Sequence, residues 1–142
     1  MIARFQHLLV PLDFTPKNNA ALDITLEMAV QYDAKVSLLH VIERINLPDD
    51  EDLTSFYAKC EERTRIEMAE MARRFDEPQI PTAQDVRFGN RAEEIVRFAA
   101  TREVDLIVMS SHQIDPTSAT RNWSTVSYHV SLLCSCPVLL VK

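Results

Sequence analysis

Glycine is almost missing from this chain. Gly89 stands alone among 142 residues, where an average chain of that length would carry about ten. Glycine-rich phosphate cradles need glycine so that backbone N–H groups can close on the ligand through positive φ, and a cradle of that kind is excluded. Cysteine is scarce too. Cys60, Cys134 and Cys136 form no C-x-x-C pair and no ligand quartet, so a zinc or dithiol site is not expected. The three read as small, half-buried hydrophobes of a reducing compartment. No apolar run approaches the length of a membrane span, and no basic stretch followed by an apolar segment opens the chain. A cytoplasmic protein without membrane association is therefore expected. Positive charge is short as well: fifteen Lys and Arg against twenty-one Asp and Glu give a net charge of -6, which argues against a nucleic-acid-binding face.

Catalytic signatures are equally thin. There is no Walker lysine motif and no G-x-S-x-G elbow. Ser111 beside His112 suggests a nucleophile and base, but adjacent side chains at a strand end diverge, and no third group assembles a triad. An enzyme is not expected.

What is present is an ordinary globular composition, 46% hydrophobic and 25% charged, sized for one domain over residues 1–142. Short apolar runs mark strands at His7–Leu12, Lys35–Ile42, Leu106–Ser110 and Val138–Val141, and Thr82–Phe88, after the breaks at Pro78 and Pro81, gives another. Between them lie helical stretches. Thr15 and Pro16 signal one helix start, running to Tyr32. An acidic turn, Asp49 to Asp52, leads to a second helix that Thr54 would cap, with Phe56, Cys60, Thr64, Met68, Met71 and Phe75 along its apolar face. Asn90 and Glu93 form a capping box for a third helix, reaching about Arg102. A fourth runs from about Ser124 to Leu133. His40, the titratable residue of the second strand, reads as a packed or hydrogen-bonded core histidine. Alternation of strand and helix throughout predicts an α/β domain with a parallel sheet and right-handed crossovers. In such a sheet, ligands sit beyond the carboxyl ends of the strands, which singles out Asp105 to Ser127.

The run Leu106-Ile107-Val108-Met109, the ending Ser110-Ser111-His112, the hydroxyl-rich helix start and the terminal Cys136-Pro137-Val138-Leu139-Leu140-Val141 resemble the universal stress protein family. Val86, Gly89, Ala92, Glu93, Glu94 and Ile95 add a second matching motif, and the resemblance covers essentially the whole chain. It implies a Rossmann-like five-stranded parallel sheet of order 3-2-1-4-5 with helices on both faces. It also implies a homodimer in which the last strands, Val138, Leu139, Leu140 and Val141, pair antiparallel; an uncovered apolar edge of this kind calls for pairing in any case. In nucleotide-binding members, the carboxylate after the first strand contacts adenosine and the backbone ending the second strand reads the adenine edge. Leu12-Asp13 and Val41 hold those places, with an Asx-turn as the competing role for Asp13.

The phosphate motif of those members is G-x-x-G, nine residues, then G-S or G-T. Here Ser110 and Gln113 take the first two glycine positions, flanking Ser111 and His112. The third falls on Ser124, followed by Thr125 and Val126, if the spacing to Cys136 is kept, or on Trp123 if the nine-residue loop is kept. No motif glycine remains. The expectation is a stress protein acting through dimerisation and unidentified protein partners, without glycine-type ATP binding or an obligate cofactor. The alternative is a sensor of AMP, ADP or ATP with altered phosphate recognition.

Overall fold

Leu8, Leu9 and Val10 have no exposed surface, the mark of a strand covered on both faces. They form the centre of the sheet in a computed structural model that describes residues 4–44, 51–111 and 125–142. The elements are β1 (His7–Pro11), α1 (Asn18–Tyr32), β2 (Lys35–Ile42), α2 (Glu51–Ala72) with a 3₁₀ turn at Arg73–Phe75, β3 (Thr82–Phe88), α3 (Arg91–Thr101), β4 (Leu106–Ser110), α4 (Val126–Leu133) and β5 (Val138–Val141). All neighbouring strands are parallel, in the order β3-β2-β1-β4-β5. Both the fold class and the strand order expected from the sequence stand.

Side-chain alternation along the strands splits the core in two. Leu8, Val10, Val36, Leu38 and Val108 pack against α1 and α2 through Ala21, Leu22, Ala29, Met68 and Phe75. Leu9, Leu39, Ile107 and Met109 face α3 and α4 through Ile95, Phe98, Ala99 and Val130. Helices therefore cover both faces.

Two helix starts differ from expectation. α1 begins at Asn18, because Thr15 and Pro16 spend their carbonyls in a tight turn, accepting from Asn18 N–H (3.1 Å) and Asn19 N–H (3.2 Å). Thr15 caps nothing; its hydroxyl donates to Asp13 Oδ1 at 2.7 Å. α2 begins at Glu51, which puts Thr54 inside the helix. Residues 45–50, with part of the acidic turn, lie outside the described residues. Along α2 the buried stripe is Thr64, Met68 and Ala72, continued by Phe75 in the 3₁₀ turn, whereas Phe56 is 54% exposed. The other two starts match closely. Asn90 Oδ1 accepts from Glu93 N–H (3.0 Å) and Thr125 Oγ accepts from Tyr128 N–H (3.1 Å), each fixing a first turn.

Cys134 and Cys136 are half-buried and unbridged, with sulfurs 3.2 Å apart. Burial first, and the neighbouring thiol second, push the Cys136 thiol up to about 12. It stays protonated and unreactive at neutral pH.

Candidate functional site

Where β1 ends, the chain must leave the sheet and turn into α1, and one buried side chain organises that exit. Asn18 is 1% exposed. Its Oδ1 accepts from Asp13 N–H (3.0 Å) and Phe14 N–H (2.8 Å), and its Nδ2 donates to Ser110 Oγ (3.1 Å). Asn18 thus ties the β1–α1 loop to the end of β4, across the point where strand order reverses. Within the loop, Asp13 Oδ1 accepts from Thr15 N–H at 3.0 Å and from the Thr15 hydroxyl, the Asx-turn role anticipated for it. Phe14 follows in a left-handed conformation, φ 62°, which a bulky residue adopts only under constraint. Its amide is held by Asn18 and its ring lies 4.7 Å from that of His40.

The next rung of the β1–β2 ladder is consequently missing. Lys35 N–H bonds Gln6 C=O and Leu12 N–H bonds Leu39 C=O, so odd residues of β2 point their backbone groups toward β1. Val41 is the next odd residue. Its expected partners are diverted: Phe14 N–H goes to Asn18, and the Leu12 carbonyl accepts from His40 Nδ1–H at 2.7 Å. Among the described residues, no backbone partner takes up the Val41 N–H and C=O. A donor and an acceptor are left side by side at the strand end.

They open on a cavity of about 280 Å³, near the lower limit of small-molecule sites. Leu39, Val41, Ile95, Met109 and Val126 make its apolar walls; Asp13, Asn18, Ser110, Thr125 and Ser127 bring polar groups from the β1–α1 loop, the start of α1, the end of β4 and the start of α4; Arg91 closes it from α3. The hydroxyls of Thr125 and Ser127 lie 3.1 Å apart. Leu12, Asp13, Val41, Ser110, Thr125 and Val126, all expected from sequence, meet here. Ser111 is buried with its N–H on the Val141 carbonyl (2.8 Å) and is not among the lining residues. His112, Gln113, Trp123 and Ser124 lie outside the described residues, and with them the choice of motif register. Asn18, Phe14, Arg91 and Ser127 were not anticipated. The Asn18-Asn19 pair at a helix start was the available signal for the first.

His40 is the half-buried core histidine the sequence suggested. Burial lowers its pKa below the ordinary 6.5, and the Arg91 charge adds to this, against the Leu12 carbonyl and Asp13. His7, at the opposite end of the strands where β1 begins, is lowered for the same leading reason; its Nε2 meets Ser37 Oγ at 2.7 Å and its Nδ1 the Arg102 carbonyl at 3.0 Å. Both imidazoles resist protonation when folded but accept protons freely when unfolded. Their contribution to stability is therefore present above about pH 6.5 and lost as pH falls through the lowered values. Urea midpoints should drop between pH 7.5 and pH 5.5, and His40→Gln should flatten part of that slope. An unchanged slope in the variant would exclude His40 as a source.

Among the described residues, no cluster of three or more His, Cys, Asp or Glu could hold a metal, and no helix is long and apolar enough to cross a membrane. Comparison with known proteins points one way. Universal stress protein A of Escherichia coli is 26% identical over 115 residues, 77% of this chain and 77% of that protein. A universal stress protein solved in complex with cAMP superposes with a TM-score of 0.75 at 18% identity, covering 98% of each chain. One from Archaeoglobus fulgidus in complex with dAMP gives 0.69 at 18% identity over 100% of both chains. The model of the universal stress protein family matches residues 4–142, and this chain belongs to that family.

Proposed function

We propose that this chain is a homodimeric, cytoplasmic stress-response protein whose cavity takes an adenine nucleoside or its monophosphate, without ATP binding of the glycine-motif type and without turnover. The observation that carries this reading is the Val41 N–H and C=O pair, open at the end of an apolar slot. A donor beside an acceptor complements the N1 and N6 edge of adenine. Two structural relatives hold adenine monophosphates, cAMP and dAMP, which moves the nucleotide-sensing reading ahead of a purely nucleotide-independent one.

The triphosphate end is the weak end. Ser110 stands at a glycine position of the nucleotide-binding pattern, and its hydroxyl is engaged by Asn18. Forcing a side chain into a glycine-only conformation costs on the order of 1–3 kcal/mol. Losing an aligned donor costs roughly 1.5–3 kcal/mol per charge-assisted bond. Two or three such losses carry a micromolar site to about millimolar or weaker. Calorimetry with adenosine, AMP, ADP and ATP should show ATP no tighter than adenosine. A micromolar constant for ATP that disappears in Asp13→Ala would overturn this and show that hydroxyls replace the glycines.

The dimer rests on the free edge of β5. Its residues Val138, Leu140 and Val141 are only half-buried and Leu139 is 39% exposed. A second copy paired antiparallel through Val138, Leu139, Leu140 and Val141 would satisfy both edges at once.

A further inference from the structure

The lone glycine and the one cation of the described cavity lining stand two residues apart. Gly89 has φ 145°, a conformation side chains rarely adopt, and a Cβ there would come within 3.1 Å of Glu94 Cγ. Its N–H donates to the Ile42 carbonyl at 3.0 Å, fastening the turn to the end of β2. Asn90 then caps α3, so Arg91 emerges as the first helical residue directly beside the Val41 end of the cavity. Its side chain is 44% exposed, and its charge partner is Glu43 at 3.9 Å, itself 58% exposed. So loose a pair leaves the guanidinium available.

We infer that Arg91 is a specificity-determining residue that clamps the purine ring, its planar guanidinium lying against the base held by Val41. This rests on the nucleoside reading of the cavity and deepens it. The strand order decides between base and phosphate. Val41 and Arg91 lie on the β2 side of β1, whereas Ser110, Thr125, Ser127 and the α4 N-terminus lie on the β4 side. Two strand spacings, roughly 10 Å, separate those sides. A nucleoside with its base on Val41 sends its 5′ end toward α4, away from Arg91. A cation over an aromatic face gains from the ring quadrupole, most when water is excluded, and arginine's plane stacks where a lysine cannot. Binding strength is thereby shifted from phosphate to base, which suits a chain without motif glycines.

The test is calorimetry with adenosine, AMP and ribose 5-phosphate on the intact protein, Arg91→Ala, Arg91→Lys and Asp13→Ala, with melting temperatures as the folding control. The expected result is a loss of roughly 5- to 30-fold in Arg91→Ala, equal for adenosine and AMP. Arg91→Lys should recover only part, and ribose 5-phosphate should not bind measurably. A loss for AMP alone would make Arg91 a phosphate ligand and overturn the clamp. Unchanged affinities in Arg91→Ala alongside a loss in Asp13→Ala would overturn the clamp and leave the nucleoside reading standing. No binding of adenosine or AMP to the intact protein would overturn both.

Discussion

Asn18→Ala should destabilise the protein by about 3 kcal/mol and disorganise the ligand cavity together. The substitution removes an acceptor shared by the amides of Asp13 and Phe14 and a donor to Ser110. Each buried group left without a partner costs about 1–3 kcal/mol, and the position is too enclosed for water to substitute freely, since Asn18 is 1% exposed. The left-handed Phe14 is held in place by this acceptor, so its relaxation should displace the ring from His40 and let the β1–β2 ladder close over Val41. Asn18→Asp keeps the acceptor at a helix N-terminus, where negative charge is favoured, and Ser110 can donate to it. It should therefore lose less than Asn18→Ala. A double-mutant cycle with Ser110→Ala should return a coupling of about 1 kcal/mol. Urea denaturation measures the first effect and adenosine calorimetry the second. An Asn18→Ala variant as stable as the parent would show that the loop amides find other partners.

Most of the frame was legible because strands write themselves as short apolar runs. Thr82–Phe88, an edge strand that carries Gln84, Asp85 and Arg87, was marked instead by the breaks at Pro78 and Pro81 before it. Lys35–Ile42, Thr82–Phe88, Leu106–Ser110 and Val138–Val141 match the observed strands. Helix starts were harder, since the same polar residues serve as caps or as turns. Asn90 caps as its spacing suggests, and Thr125 proves to cap the helix expected from about Ser124, whereas Thr15 spends its hydroxyl on Asp13 and leaves α1 to begin at Asn18. Phe56 shares the period of the α2 stripe yet stays exposed, because periodicity gives a face but not where along the helix the sheet begins to cover it. The cavity lining was legible through motif positions at strand ends, namely Asp13, Val41 and Ser110, and at a helix start, Thr125. What escaped is what only tertiary closure creates. The Asn18 bond to Ser110 spans 92 residues, and no local pattern announces it. Arg91 sits in a helix-start motif whose spacing accounts for Asn90 and Glu93 and is silent on which way the residue between them projects. The open backbone pair of Val41 arises only because two neighbours, Phe14 and Leu12, bond elsewhere.

Leu140→Pro should convert a dimer to a folded monomer. Along β5, Pro137 accepts from Ile107 N–H and Val141 from Ser111 N–H, so odd positions carry the bonds to β4. Leu140 is even, and its N–H faces the free edge. Proline there removes a donor that the chain itself does not use, which is where an edge strand tolerates it. The substitution also trims a half-buried side chain packed against the core beneath α3 and α4, a loss of about 1–2 kcal/mol that leaves the fold intact. Leu139→Pro is the control from the other parity. Its N–H faces β4, so that variant should damage the sheet itself and lower the melting temperature more. Leu139→Glu supplies a second route. Two-fold pairing brings like residues close together across the axis, and paired carboxylates repel. Light scattering at micromolar concentration should give dimer for the parent protein and monomer for Leu140→Pro and Leu139→Glu, with circular dichroism unchanged. A parent chain that is monomeric, or a Leu140→Pro variant that remains dimeric, would remove β5 from the interface.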